Sequence, residues 1–116
     1  MKYLFLLNDS PYGTERNYNA LRLAKSLLKR EDTDELTVFL MADAVACAKA
    51  KQKPPTGYYD LEPMLQPVLG KGRVLACGSC MDARALTDGE LMDGAARGTM
   101  DQLAEATAGA DRVLIF

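Results

Sequence analysis

Four short stretches of the chain are apolar almost without a break: residues 3–7, 36–41, 74–77 and 112–116, the last opened by Arg112. Runs of this length, bounded by glycine or by polar and acidic residues, read as strands, and their lack of polar–apolar alternation predicts cover on both faces of a sheet. The segments between them carry a helical period instead. Over residues 14–30, Ala20, Leu21, Ala24, Leu27 and Leu28 share one face, and residues 42–51 make a short alanine-rich helix. After Asp60, placed to cap a helix, Leu61, Met64, Leu65, Val68 and Leu69 recur at helical spacing. Pro63 is harmless in that first turn, Pro67 is expected to kink the helix, and Gly70 can end it.

Two capping boxes follow. Thr87 with Glu90, flanked by Leu86 and Leu91, opens a second short helix, and Thr99 with Gln102 opens a helix carrying Met100, Leu103, Ala104 and Thr107 on one side. Residues 94–98 leave room for a fifth strand. Residues 8–14 and 52–59 are loops; the second, with Pro54, Pro55 and Gly57, carries Tyr58 and Tyr59, which are expected to pack against the core or another subunit. Met41, Met64 and Met100 are read as core. Strands alternating with helices predict an α/β fold: a three-layer α/β/α sandwich around a mostly parallel sheet of four to five strands, flavodoxin-like in general layout. Residues 1–116 make a single domain on this reading.

Charge and composition narrow the partners. The 116 residues carry a net charge of −2, with lysine and arginine scattered rather than gathered. That pattern offers no basic stripe for nucleic acid and none for an anionic membrane. The apolar start is too short for a signal-peptide core or a membrane span, so a cytoplasmic location is expected. Three cysteines, an odd count, point to reduced thiols. Histidine is absent, which excludes Ser-His-Asp and Cys-His mechanisms and leaves zinc only thiolates and carboxylates.

The chemistry gathers in residues 73–84, where the third strand runs through Gly78 into Cys77-Gly78-Ser79-Cys80 and a short helical pattern. Cys77 stands at the strand's carboxyl end, where open α/β sheets place ligands, and Cys80 near the first turn of the next helix. Arg84 follows one turn later and is placed to face the same anion. A C-x-x-C spacing permits a disulfide, half a metal site, a thiol relay, or two structural thiols. No second C-x-x-C completes a metal site, and no proline follows as in thioredoxin-like oxidoreductases. Cys47, inside the alanine-rich helix, reads as a small buried hydrophobe. The first loop lacks both glycine-rich phosphate signatures, which weighs against a flavin or nucleotide binder.

These residues together resemble the DsrE/DsrF-like sulfur relay family, which includes the subunits of the tRNA 2-thiouridine relay. The resemblance spans the chain and is carried by residues 7–13, 39–44, 57–62 and 77–84. It implies the three-layer fold, homo-oligomers (trimers or hexamers), and a strand-end cysteine that carries sulfur as a persulfide. That cysteine corresponds to Cys77; Cys80 belongs to the subset of relatives with a second thiol, and Arg84 matches a recurrent arginine. The family often has glycine where this chain has Ala85. The implied function is a small sulfurtransferase-like carrier that takes sulfane sulfur from a donor protein and passes it to an acceptor protein, without cofactor or metal. Cys77 is then the carrier, Cys80 a resolving or second thiol, and Arg84 a stabiliser of the anion. The alternative is a non-catalytic oligomeric binding or assembly module of the same fold.

Overall fold

The computed structural model describes all of residues 1–116. Five strands, β1 (Lys2–Leu7), β2 (Glu35–Leu40), β3 (Val74–Cys77), β4 (Ala95–Gly98) and β5 (Arg112–Ile115), form one sheet in the order β4-β3-β2-β1-β5. Every pairing in it is parallel. Four α-helices connect them: α1 (Arg16–Leu28), α2 (Leu61–Leu65), α3 (Gly78–Ala83) and α4 (Met100–Gly109). Three 3₁₀ segments, Ala42–Ala48, Gln66–Gly70 and Asp88–Glu90, complete the connections.

The chain steps from β1 to β4 in one direction and then returns past β1 to β5. Right-handed crossovers therefore put α1, the 42–70 connection and α3 on one face of the sheet, and α4 alone on the other. The packing follows: α1 lies against α2 and Gln66–Gly70, α3 against Ala42–Ala48, and α4 against β1. Between the layers Phe5, Leu7, Leu36, Val38, Phe39, Leu40 and Ala76 are fully buried. Gly98 serves this packing directly. A Cβ there would stand 2.9 Å from the Phe39 ring and 3.1 Å from Leu75 Cβ, and Gly98 is the register partner of Cys77.

Several expectations change in physical detail. The alanine-rich helix is the tighter 3₁₀ form over Ala42–Ala48, entered through Ala42 at φ +50°. The helix after Asp60 does not run unbroken: α2 gives way at Gln66, beside Pro67, to a 3₁₀ turn, because proline brings no N–H and crowds the preceding turn. Asp60 makes no side-chain cap, and its Oδ1 is buried without a partner. The Thr87 capping box forms but holds only the single turn Asp88–Glu90. The Thr99 box opens α4 as expected, Thr99 Oγ1 accepting from the Gln102 N–H.

Met100 is a correction: it is 57% exposed, not core. Leu103 supplies the buried contact of that helix. The last strand is likewise uncovered on one side, with Val113 exposed and Ile115 67% exposed. It is an edge strand, and α4 alone lies over that face of the sheet. The two tyrosines of the proline loop part company. Tyr59 stacks on Tyr18 at 4.5 Å and donates to Thr14 O, whereas Tyr58 is 63% exposed.

Candidate thiol site

Because all strands run the same way, the ends of β2 and β3 open on one edge of the sheet, and there the site is assembled. Cys77 is the last residue of β3 and the N-cap of α3. Its backbone (φ −54°, ψ 120°) is still outside the helical region, as an N-cap's is, and the helix begins at Gly78. An N-cap side chain points back at the first N–H groups of its helix. Here the N-cap side chain is a thiol; it makes no side-chain cap hydrogen bond, and its one hydrogen-bond partner is the Ser79 hydroxyl.

Burial, the largest single influence on Cys77, opposes its thiolate, but four groups outweigh it. The Ser79 hydroxyl, the N–H groups of Cys80 and Ser79, and the Cys80 thiol all favour the anion, so the Cys77 pKa lies below the ordinary thiol value. Ser79 Oγ stands 3.3 Å from Cys77 Sγ. Helix α3 is only six residues long, so these specific donors, rather than a long macrodipole, do the stabilising.

Cys80 is shifted the other way. Burial raises its pKa most, and the Cys77 sulfur beside it raises it further; the Ala42 N–H and the charge of Arg84 oppose them without prevailing. The Ala42 N–H donates to Cys80 Sγ at 3.3 Å. That bond depends on the left-handed backbone of Ala42, a conformation costing a non-glycine residue about 1–2 kcal/mol. Of the pair, Cys77 is therefore the more readily ionised thiol and Cys80 the one that holds its proton more tightly.

Arg84 reaches the site through Cys80 rather than Cys77. Its Nε donates to Asp43 Oδ1 at 2.8 Å and its Nη1 to the Cys80 carbonyl at 3.1 Å, so it ties the end of α3 to the residue after Ala42. Arg97, on β4, fastens the same helix from the other side. It donates to Gly78 O at 2.9 Å, to Asp82 at 3.0 Å and to Asp88 at 2.8 Å. A Cβ on Gly78 would come 2.9 Å from that guanidinium, so the glycine of the motif is needed for the clamp.

The structure thus brings together Cys77, Cys80 and Arg84, and adds Ser79, Ala42, Asp43 and Arg97. Ser79 lay within the motif, and its hydroxyl is the one addition that N-cap reasoning from the sequence had in reach. Ala42 acts through its backbone, and Arg97 comes from a neighbouring strand; neither leaves a local signal. Cys47 stands apart. It is fully buried, and burial pushes its thiol up to about 12 despite a 3.3 Å bond from the Asn17 amide. Nowhere do three or more His, Cys, Asp or Glu side chains gather as a metal site. No helix is long and apolar enough to cross a membrane.

The whole chain, residues 1–116, matches the DsrE/DsrF-like family. Among curated proteins it is 39% identical to YchN of Escherichia coli K12 over 116 residues, 99% of this chain and 98% of that one. It is 35% identical to MJ0989 of Methanocaldococcus jannaschii over the full length of both. The crystal structure of E. coli YchN superposes with a TM-score of 0.91, covering 100% of this chain and 99% of its own. MTH1491 of Methanobacterium thermoautotrophicum, at 13% identity, shares the fold with a TM-score of 0.73 over 97% of each chain. Whole-length identity to these relatives, a common parallel α/β fold and the family match agree, and the chain belongs to the DsrE/DsrF-like family.

Proposed function

We propose that this protein is a sulfur carrier in which Cys77 receives sulfane sulfur and holds it as a persulfide. The observation that supports this most is the place of Cys77: the carboxyl end of β3 and the N-cap of α3, with the Ser79 hydroxyl 3.3 Å from its sulfur and Cys80 in the same first turn, in a chain without histidine. Thiolate attack at sulfur needs a nucleophile and a leaving thiolate, and neither a general base nor a metal. In loading, the Cys77 sulfur bonds the outer sulfur of a donor persulfide, and the donor leaves as its thiolate. In unloading, an acceptor thiolate attacks that outer sulfur and Cys77 leaves in turn. The lowered pKa serves both steps, raising the thiolate fraction and improving Cys77 as a leaving group. A donor protein and an acceptor protein are the natural partners, in a reducing compartment such as the cytoplasm.

The carrier acts as a homo-oligomer, a trimer or a pair of trimers. Val113 and Ile115 on the edge strand β5 and Met100 at the start of α4 are exposed, and apolar side chains so placed invite a partner. Light scattering at micromolar concentration checks this, and a monomer mass refutes it. The carrier reading is tested by intact mass after incubation with glutathione persulfide. A gain of one sulfur atom on the parent, lost in Cys77→Ser and kept in Cys47→Ser, is the expected result. If Cys77→Ser loads like the parent, or nothing loads, the reading falls and an assembly module of the same fold takes its place.

A further inference from the structure

We infer that Cys80 is a resolving thiol: it attacks the inner sulfur of a Cys77 persulfide, closes a Cys77–Cys80 disulfide and discharges the cargo as hydrogen sulfide. This rests on the carrier reading and adds an outlet that needs no acceptor protein. The bookkeeping closes without an outside oxidant. The Cys80 Sγ–Cys77 Sγ bond forms and the bond from Cys77 Sγ to the outer sulfur breaks. The proton of Cys80 goes to the departing sulfur. The outer sulfur, at the sulfane level, is reduced to sulfide, and the two cysteine sulfurs supply its two electrons. A dithiol reductant of the thioredoxin class then returns the pair to thiols.

Three features of the site carry this. First, Cys77 is the N-cap and Cys80 the third residue of α3. The two side chains therefore share the first turn of one short helix, three residues apart, which puts Cys80 within one turn of a persulfide on Cys77. A disulfide needs Cα atoms about 4.4–6.8 Å apart, and this one-turn spacing falls in that range. Second, the partner is the right one. Cys80 is partly exposed while Cys77 is only 4% exposed, so a thiol already inside the same helical turn reaches the buried inner sulfur more readily than one arriving from solution. Ser79, the other neighbour, is a hydroxyl and a far weaker nucleophile towards sulfur.

Third, Cys80 has stabilising groups of its own, separate from those of Cys77. The Ala42 N–H is held on its sulfur at 3.3 Å by a left-handed backbone, and Arg84 is fastened alongside through Asp43 and the Cys80 carbonyl. A thiol that remained protonated throughout would gain little from a strained peptide N–H and a tethered guanidinium. A thiol that passes through an anion on its way to a disulfide gains from both. Loading Cys77 also turns its sulfur from a nucleophile into an electrophile, which is when Cys80 is called on to ionise.

The test loads parent and Cys80→Ser with glutathione persulfide, removes the donor, and follows free sulfide, intact mass and alkylatable thiols together. In the parent the loaded sulfur should leave as sulfide while Cys77 and Cys80 disappear together from alkylation. In Cys80→Ser the persulfide on Cys77 should persist at least about tenfold longer, since an intramolecular attack has been removed. Loading of both proteins with equal persistence overturns the inference and spares the carrier reading; failure of both to load overturns both. Transfer of the extra sulfur to Cys80 without sulfide release also overturns it. A second measurement is independent of loading: diamide oxidation of the parent should give an internal Cys77–Cys80 disulfide. Peptide mapping that finds only chains cross-linked through Cys80 overturns the apposition on which resolution depends.

Discussion

Cys47 and Cys77 are both closed off from solvent, 0% and 4% exposed, and each has a polar neighbour 3.3 Å from its sulfur. Their acidities nevertheless move in opposite directions, to about 12 for Cys47 and below the ordinary thiol value for Cys77. Burial raises both. The difference lies in how many donors meet each sulfur and what else those donors must serve. The Asn17 amide at Cys47 also bonds the carbonyls of Asp9 and Ser10, so it is shared. The donors around Cys77 include two N–H groups of a helix start, which have no other acceptor inside their helix. A buried thiol becomes reactive when several otherwise unoccupied donors converge on it, and burial alone makes it inert.

The largest consequence of that contrast is kinetic. At neutral pH, iodoacetamide should alkylate Cys77 in the native protein at least about a thousandfold faster than Cys47, since their thiolate fractions differ by that order. Peptide mapping over a time course reads both rates. Comparable labelling of the two would erase the distinction between the sites.

Stability against pH separates them next, with opposite signs. Cys47 is a thiol whose pKa is raised on folding, so its contribution is complete below the unfolded value of ~8.5 and is lost as pH rises towards about 12. Between pH values of about 8.5 and 10 this costs on the order of 2 kcal/mol in the parent. Urea unfolding of Cys47→Ala should show a correspondingly flatter decline over that range. For Cys77 the pKa is lowered, so its contribution is present above ~8.5 and fades as pH falls through the folded value. Parallel alkaline curves for parent and Cys47→Ala would show that the Cys47 thiol is not the group being resisted.

Smaller is the effect of removing one donor. Ser79→Ala takes away the hydroxyl at Cys77 and should shift the alkylation-rate profile upward by about half to one pH unit, roughly three- to tenfold in rate at neutral pH. The profile of Cys80 should move less. An unchanged Cys77 profile would assign its activation wholly to the backbone.

The smallest effect concerns how α3 ends. Ala85 has φ +53°, with its N–H on Asp82 O and the Leu86 N–H on Met81 O at 3.1 and 2.9 Å. That is a Schellman ending, with Leu86 and Met81 buried behind it. Glycine is suited to this position and alanine is not, so Ala85→Gly should raise stability by about 0.5–1 kcal/mol in urea titration. It should leave the Cys77 alkylation profile in place. Destabilisation would mean that the larger freedom of glycine in the unfolded chain outweighs the relief.

Much of this was legible in the chain itself. The run Val74–Cys77 and the Gly78 that ends it set β3 and the turn where Cys77 sits, because a short apolar run before a glycine has few other readings. The Thr99 box set the start of α4 through contacts three residues apart. The departure from glycine at Ala85 marked a real conformational demand. Such features depend on near neighbours, and near neighbours are written in order along the chain.

What only the tertiary structure decided depends on partners far off in sequence. The Ala42 N–H meets Cys80 across 38 residues, and Arg97 reaches Gly78 across 19. Neither residue type announces such a role, since one acts by its backbone and the other by a long side chain from a parallel neighbour. Which faces stay open was hidden for the same reason. A helical period shows that Met100 and Leu103 share a side, and an apolar run shows that Val113 and Ile115 belong to a strand. Only the strand order, with β5 at the edge and α4 alone on its face, determines which of these side chains are covered and which stay exposed.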